Sequence, residues 1–290
     1  MKITFIGLGA MGYPMAGHLA KHHDVTVWNR TAEVADRHVR EHKTRRAPSL
    51  ADCAAADCII TIVPTSREVD EIVAALIDGV RPGTLWIDAT SGDPVASRAT
   101  AERLRARGIA FVDAPVTGGT PGANAGTLSV MMGGSNEDTD RARTVCEAFG
   151  KKIVHVGEVG AGHAIKVVTN SMMAANMLIA AEGLLSLKKA GFDLRTAFEV
   201  LNTSSGRSNV SENLLPSRIV GGEWPLTFKL ALLDKDVRIA ASVAHNQHLA
   251  TPMLALTSQL YTAALHELGQ EADYIEVAKW VAGLNGETWT

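Results

Sequence analysis

Short apolar runs and amphipathic stretches alternate along the first half of the chain. Most of the runs are four to six residues long and largely apolar, which is typical of strands buried on both faces of a parallel sheet. The segments between them, such as 67–79 and 94–108, carry charges on one face and Ala, Leu or Val on the other. This alternation predicts parallel β-α-β units with right-handed crossovers. The predicted strands are Lys2–Ile6, Asp24–Trp28, 58–63, 84–88, 109–113, 128–132 and 153–156.

The pattern changes after Gly157, where glycines punctuate a short loop and strand-like runs almost disappear. Long helical stretches follow, and the first of them is unusually long and apolar. The chain is therefore predicted to be α/β in class, with a doubly wound, mostly parallel sheet in residues 1–162. An all-helical domain in residues 163–290 is expected to begin with a long interdomain helix. The predicted helices are 164–191, 194–201, 209–220, 229–247, 251–268 and 273–284.

Composition narrows the class of protein. A net charge of -3 and a sequence pI near 6.4 argue against a nucleic-acid binder, which usually has a strong basic excess. The three cysteines form no CxxC pair, and the ten histidines lack acidic or thiol partners at ligand spacing, so neither disulfides nor a metal site are expected. Polar residues interrupt the apolar stretch 165–187, which we expect to fall short of a membrane span. No secretory leader is evident, and a cytoplasmic protein is expected.

The first predicted strand runs directly into a GxGxxG motif that opens a helix. Such glycines allow a tight turn, close approach of a pyrophosphate, and close packing of helix on strand. The helix N-terminus adds free N–H groups and the positive end of a dipole. A glycine turn without a ligand is the simpler interpretation of the motif alone, but strand, motif and helix occur here in the expected order. We predict a Rossmann-type dinucleotide site at Gly7, Leu8, Gly9, Ala10, Met11 and Gly12.

The end of the second strand bears on the choice between NAD and NADP. Folds that prefer NAD usually place an acidic residue there to bind the ribose 2′-hydroxyl, but this chain has Asn29, Arg30 and Thr31. These residues offer a guanidinium and polar groups to a 2′-phosphate. The alternative is that Arg30 only ends a surface turn. We favour NADP over NAD as the cofactor.

A second loop and a helix carry further candidate chemistry. The fifth strand leads into Thr117, Gly118 and Gly119, where exposed backbone N–H groups and a hydroxyl can bind a carboxylate; an ordinary turn is the alternative. Lys166 and Asn170 are four residues apart, so both lie on one helical face among apolar neighbours. A lysine in such a stretch either extends to solvent, pairs with an acid or takes part in chemistry.

These motifs resemble those of the β-hydroxyacid dehydrogenase family, which includes 3-hydroxyisobutyrate dehydrogenase, tartronate semialdehyde reductase and glyoxylate/succinic semialdehyde reductases. The resemblance covers essentially the whole chain and rests on four motifs in order. They are residues 7–12 followed by Pro14, residues 113–119, residues 160–170, and Lys235-Asp236.

The resemblance implies roles for individual residues. Lys166 matches the family's general acid/base, and Asn170 matches the asparagine that holds the reacting hydroxyl. The carboxylate-binding loop corresponds to Thr117–Gly119, and Lys235 matches a lysine that reaches the nicotinamide end from the helical domain. The same resemblance places Phe228 in the substrate pocket, and Val63, Pro64 and Ser91 along the cofactor.

The chain departs from the family pattern at two positions and leaves alternatives open. Thr117 stands where serine is usual, and Thr169 where many members have a second asparagine; both put the identity of the substrate in doubt. An imine reductase and a non-catalytic dinucleotide-binding module are the alternatives, and both generally lack a lysine at position 166. We expect a small carboxylate substrate and a homodimer or homotetramer, and no nucleic-acid or membrane partner.

Overall fold

The computed structural model describes residues 1–289. The chain divides into two compact units, Met1–Lys166 and the remainder from Val167 onwards. We call them the sheet unit and the helical unit. The division lies four residues beyond the predicted domain boundary because the first turn of the long helix belongs to the sheet unit.

Nine strands form one sheet in the sheet unit, counted over the described residues. The first six strands across the sheet, in the order β3-β2-β1-β4-β5-β6, run parallel to one another, as the alternation of strands and helices predicts. The order reverses at β1, which pairs with both β2 and β4. The strands are β1 Lys2–Ile6, β2 Asp24–Trp28, β3 Arg45–Arg46, β4 Cys58–Thr61, β5 Leu85–Asp88, β6 Ala110–Asp113, β7 Val116–Thr117, β8 Leu128–Gly133 and β9 Gly150–Gly157.

The helices of this unit cover both faces of the sheet. Strands β4 and β5 are buried along their whole length, which explains their continuous apolar sequences. One hydrophobic cluster contains Phe5, Met15 and Val130, and a second contains Ile59, Trp86 and Phe111. The helices are α1 Gly12–Leu19, α2 Ala32–His42, α3 Ser66–Leu76, α4 Pro94–Arg105, α5 Gly119–Ala125 and α6 Asn136–Cys146.

The far edge of the sheet differs from the regular alternation. β8 is antiparallel to β6 and β7, whereas β9 is parallel to β8. The two-residue strands β3 and β7 were not predicted, because two residues are too few to show an alternating pattern. The fold is nevertheless the predicted one, a doubly wound, mostly parallel sheet followed by helices.

The helical unit packs around a core of its own. That core includes Met177, Phe198, Leu233, Tyr261 and Trp280. The predicted helices are all present, although 209–220 divides into a π-helical turn, Val210–Leu214, and a short α-helix, while 273–284 begins with the 3-10 turn Tyr274–Glu276. The helices are α7 Ala161–Lys189, α8 Leu194–Asn202, α9 Leu215–Ile219, α10 Leu230–Asn246, α11 Pro252–Leu268 and α12 Val277–Leu284.

Helix α7 corrects one expectation. By length and composition alone it is apolar enough to cross a membrane, although the sequence was expected to fall short of that. In the most apolar 18-residue segment of the helix, 44% is buried inside the chain. Core helices of soluble proteins can be as long and as apolar as this one. Of the four polar residues that interrupt it, Lys166 and Asn170 are buried at 8% and 6% exposure, Asn176 is half-buried and Glu182 is exposed.

All three cysteines are buried thiols. Cys53, Cys58 and Cys146 are free, and none of their side chains reaches the surface. Burial raises the pKa of each thiol, to about 12 for Cys53 and Cys146. They lie in the hydrophobic clusters of the sheet unit as small apolar side chains.

His38 on α2 is a buried histidine whose two ring nitrogens both have partners. Nδ1 lies 2.9 Å from Thr44 Oγ1 and Nε2 lies 3.0 Å from the carbonyl oxygen of Tyr13. Burial lowers the pKa of the ring to about 4. A free histidine titrates near 6.5, so the unfolded chain binds a proton between these pH values that the folded chain does not.

We therefore expect His38 to make the fold less stable as pH falls from about 6.5 to about 4, by up to about 3 kcal/mol. The measurement is the free energy of unfolding in urea across this range, for the wild type and for His38→Asn. The variant should show a shallower pH dependence, whereas the exposed-site control His22→Asn should follow the wild type. Equal slopes for the wild type and His38→Asn would contradict this assignment.

Candidate active site

The glycine loop after β1 has the geometry of a phosphate cradle. A Cβ on Gly7, whose φ is +102°, would lie 2.1 Å from the carbonyl oxygen of Ile62, and one on Gly12 would lie 2.0 Å from the Gly7 carbonyl oxygen. The chain's own packing therefore requires glycine at both positions. At Gly9 a Cβ would meet nothing within 4 Å. The middle glycine thus leaves bare backbone facing open space, where the pyrophosphate of a dinucleotide would fit.

The loop lies at the point where the strand order reverses, which is where α/β sheets of this kind bind ligands. Val63 and Pro64 follow β4, the other neighbour of β1. The Val63 N–H donates to Thr90 Oγ1 at 3.1 Å, which joins the loop after β4 to the loop after β5 that carries Ser91. The structure therefore brings the predicted cofactor positions of these two loops together.

Asn29 at the end of β2 braces the glycine loop. Its Oδ1 accepts the Leu8 N–H at 3.0 Å, and its Nδ2 donates to the Thr31 carbonyl oxygen at 3.0 Å. The Arg30 side chain, by contrast, is exposed and has no ion pair among residues 1–289. Of the three residues predicted to hold a 2′-phosphate, Arg30 therefore has its charge available, while the Asn29 amide is already bonded within the chain.

The Thr117–Gly119 turn leaves its backbone open on one side. Thr117 ends β7, and the next two residues have positive φ, +129° at Gly118 and +61° at Gly119. Side chains are strained in this region of φ, which favours glycine. A Cβ on Gly119 would have only Pro121 Cδ nearby, at 3.5 Å. The backbone of this turn is therefore accessible to a ligand such as a carboxylate.

The first turn of α7, which leads to Lys166, is anchored by Asp113 at the end of β6. Asp113 is fully buried, and its two carboxylate oxygens accept the N–H groups of Gly160 at 2.7 Å and His163 at 2.9 Å. Burial raises the pKa of this carboxyl, opposed by the neighbouring His163 and by these two hydrogen bonds. The turn that precedes Lys166 is thus attached to the carboxyl edge of the sheet.

A buried carboxylate brings together two predicted site residues of the helical unit. Asp236 on α10 is 0% exposed; its Oδ2 accepts Asn170 Nδ2 at 2.5 Å, and its Oδ1 lies 2.9 Å from Lys235 Nζ. Asp236 belongs to the predicted Lys235-Asp236 motif, but its bond to Asn170 was not predicted. The available signal was its spacing of three and four residues from Leu233 and Ala240, both buried, which places an acid on the inner face of α10.

The neighbouring acid, Asp234, has a different function. It accepts hydrogen bonds from Arg238 Nε at 2.8 Å and from Thr262 Oγ1 at 2.7 Å, so it joins α10 to α11. Phe228 lies just before α10, where its ring packs edge-on against Tyr274 with a centroid separation of 5.6 Å. Its N–H donates to Asp273 at 3.0 Å. Its predicted contact with substrate stays a prediction.

Comparison with known proteins gives consistent matches along the chain. The family model of the NAD-binding domain of 6-phosphogluconate dehydrogenase matches residues 2–157. A second model, described as NAD-binding of NADP-dependent 3-hydroxyisobutyrate dehydrogenase, matches residues 160–281.

Similar proteins match over nearly their whole length. The chain is 34% identical to 2-(hydroxymethyl)glutarate dehydrogenase from Eubacterium barkeri, over 90% of this chain and 88% of that protein. It is 33% identical to an NAD-dependent L-serine dehydrogenase from Pseudomonas aeruginosa, over 96% and 97%. The solved structure of Mycobacterium tuberculosis 3-hydroxyisobutyrate dehydrogenase with L-serine superposes with a TM-score of 0.88 at 28% identity, over 96% and 97%. The chain therefore belongs to the β-hydroxyacid dehydrogenase family, whose members transfer a hydride between a nicotinamide dinucleotide and a hydroxy acid.

Proposed function

We propose that the chain is an NADP-preferring dehydrogenase of small β-hydroxy acids, with Lys166 as its general acid/base. The observation that carries the proposal is a lysine with only 8% exposure, in the first turns of a helix that a buried carboxylate anchors to the carboxyl edge of the sheet. A surface lysine would need no such anchorage. Bound nicotinamide supplies or accepts the hydride, and the glycine loop, Val63, Pro64 and Ser91 hold the cofactor.

The role of Lys166 follows from its proton. In oxidation, the neutral amine accepts the proton of the substrate hydroxyl as the carbon loses its hydride; in reduction, the ammonium returns a proton to the carbonyl oxygen. An ordinary lysine, with a pKa near 10.4, is mostly charged at neutral pH. Burial of the Lys166 side chain disfavours its charged form, which favours the neutral amine that the oxidation step requires.

The remaining residues orient the substrate. The open backbone of Thr117, Gly118 and Gly119 binds its carboxylate, and Asn170 holds the reacting hydroxyl. Because Asn170 Nδ2 donates to Asp236, the side-chain orientation is fixed and its Oδ1 is the atom directed to the substrate. The methyl group of Thr117 narrows the site compared with serine, so substrates with little bulk beside the carboxylate are favoured.

The residue at position 166 does not support the two alternative functions. An imine reductase or a non-catalytic binding module would not need a buried lysine on α7. Turnover of reduced nicotinamide with small semialdehydes, and none with imines, distinguishes the proposed function from the first. Tight cofactor binding with no turnover would favour the second.

Replacing Lys166 with Ala is expected to lower kcat by about 10²–10⁴-fold, the usual contribution of a general acid/base, while cofactor affinity stays near that of the wild type. The measurement is steady-state turnover followed by nicotinamide absorbance, with cofactor affinity from fluorescence titration. Lys151→Ala, which removes an exposed lysine of the same unit, is the matched control. If Lys166→Ala turned over substrate at nearly the wild-type rate, Lys166 would not be the general acid/base.

The preference for NADP rests on Arg30. Its guanidinium is exposed and has no ion pair within residues 1–289, and it directly follows Asn29, which bonds to the glycine loop. Such a guanidinium is suited to bind a 2′-phosphate in a bidentate manner. A relative is described as NAD-dependent, so the preference is a property to be measured on this chain.

Arg30→Asp should lower the ratio of kcat/KM with NADP to kcat/KM with NAD by about 10- to 100-fold, because a hydrogen bond to a charged group contributes about 1.5–3 kcal/mol. The introduced carboxylate would also repel the phosphate and accept the ribose hydroxyl of NAD. Arg105→Asp, at an exposed position near the end of α4, changes the net charge equally and should leave the ratio unchanged. An unaltered ratio in Arg30→Asp would remove Arg30 from the cofactor site.

We also propose that the chain forms a homodimer through one face of α7. Ile165, Val168, Met172 and Ile179 are 42%, 51%, 63% and 64% exposed, and their spacing of three, four and seven residues places them in one stripe along the helix. Monomers rarely expose so continuous an apolar surface. A helix of 29 residues is about 43 Å long, enough for two antiparallel copies to bury a substantial part of the ~800 Å² per partner of a standard interface.

The double variant Met172→Glu/Ile179→Glu should dissociate this assembly, because burying two unpaired carboxylates is costly. Light scattering coupled to gel filtration measures the mass against the 30.8 kDa of one chain. Val95→Glu, at a 52% exposed position on α4, is the control. A monomeric wild type would refute the proposal, whereas a tetramer that falls to dimers in the variant would make the stripe one of its two interfaces.

A further inference from the structure

His163 is a completely buried histidine in the first turn of α7, and the reaction described above does not use it. It is 0% exposed. Its Nδ1 lies 2.5 Å from Ser97 Oγ on α4, and its Nε2 lies 3.9 Å from Asp88 Oδ2 at the end of β5. Its backbone N–H is one of the two that Asp113 accepts. One residue thus contacts the ends of two strands and a second helix.

The direction of the bond between the ring and Ser97 can be assigned. Ser97 Oγ donates its single hydrogen to the Asp93 carbonyl oxygen at 2.9 Å. The hydroxyl can then only accept from His163, so Nδ1 carries the hydrogen. Because both groups are buried, breaking this bond would leave an unsatisfied donor in the protein interior, which destabilises that arrangement.

The loop after β5 passes close to the ring of His163. A Cβ on Gly92 would lie 2.9 Å from His163 Cε1 and 3.0 Å from Nδ1, so the loop has a glycine where it passes the imidazole. The following residue, Asp93, donates its N–H to Ser66 Oγ at 2.8 Å. This loop carries Ser91, one of the predicted cofactor residues. The His163 side chain therefore packs the first turn of α7, the helix that also carries Lys166, against the cofactor loop.

Helix geometry connects this packing to the proposed general acid/base. Lys166 is three residues after His163 on a continuous helix, so the two side chains leave neighbouring positions on the helix surface. Rotation of the first turn about the helix axis would move both side chains together. The ring of His163 resists that rotation because it is held by Ser97 and packed against Gly92.

We infer that His163 is a positioning residue: through its Nδ1 bond to Ser97 and its contact with Gly92, it fixes the orientation of the α7 turn that presents Lys166. The inference deepens the proposed function and rests on it for its kinetic consequence. The structural part, that the ring holds the turn in place, can be measured without turnover.

The test compares three variants. His163→Asn keeps an amide N–H near the place of Nδ1, His163→Leu keeps volume without a donor, and Ser97→Ala removes the acceptor with the least change in packing. We expect His163→Leu to lower kcat by about 10- to 100-fold, as an active-site displacement of the order of 1 Å does, with KM and cofactor affinity little changed. In Ser97→Ala, kcat should also fall, but by a smaller factor. His163→Asn should retain most of the wild-type kcat.

Hydrogen exchange followed by mass spectrometry gives the second readout. Amides of residues 160–168 should exchange faster in His163→Leu and Ser97→Ala than in the wild type, and at nearly the wild-type rate in His163→Asn. Thr139→Val is the matched control, because it removes a buried hydroxyl that bonds, among the described residues, only to the carbonyl oxygens of Ser135 and Asn136 at the start of its own helix, α6. If that control changes kcat as much as Ser97→Ala does, the effect is general loss of stability and the inference fails.

Two further outcomes would overturn the inference. One is unchanged exchange of residues 160–168 in His163→Leu. The other is an equal loss of kcat in the Asn and Leu variants, which would show that the Nδ1 donor is irrelevant. If the wild type turns over no hydroxy acid with either cofactor, the proposed function fails, and the exchange experiment alone decides whether His163 orients the turn.

Discussion

The bond between one buried carboxylate and the start of one helix determines where the proposed chemistry can take place. Asp113 ends β6, and its two oxygens accept the N–H groups that begin α7. The positive end of the helix dipole favours the negative charge there. Removal from water disfavours the same charge and raises the pKa of the carboxyl. Asp113 thus fixes the junction of sheet and helix through two hydrogen bonds, although burial disfavours its charged form.

The parts of this site that depend on local sequence could be predicted. The glycine loop could be predicted because its three glycines occur at fixed spacing within six residues, directly after a strand. The long α7 could be found from its composition, and Lys166 and Asn170 from their spacing of one helical turn. In each case the signal lies within a dozen residues, which is the range over which hydrophobic periodicity and motif spacing operate.

The polar pairs that hold the site together could not be predicted in the same way. Asn170 and Asp236 are 66 residues apart in sequence, and so are Ser97 and His163. Periodicity shows that a polar side chain is on a buried face, but it does not identify the partner that must satisfy it. Asn29 illustrates a related limit: its residue type suited a phosphate contact, whereas in the fold its amide is bonded to the glycine loop and to Thr31. In the folded chain, buried polar side chains form hydrogen bonds with the donors and acceptors that lie nearest to them.

The placement of the cysteines has a practical consequence. All three thiols lie within Met1–Lys166, buried and held in the protonated form by their surroundings, and a protonated, inaccessible thiol does not react with alkylating reagents. Alkylation of the cysteines can therefore occur only when the sheet unit opens. No engineered cysteine is needed to detect that opening. Tryptophan fluorescence, by contrast, reports on both units. The helical unit contains Trp224, Trp280 and Trp289, and the sheet unit contains Trp28 and Trp86. The natural sequence thus carries a chemical reporter of local unfolding confined to one half of the molecule.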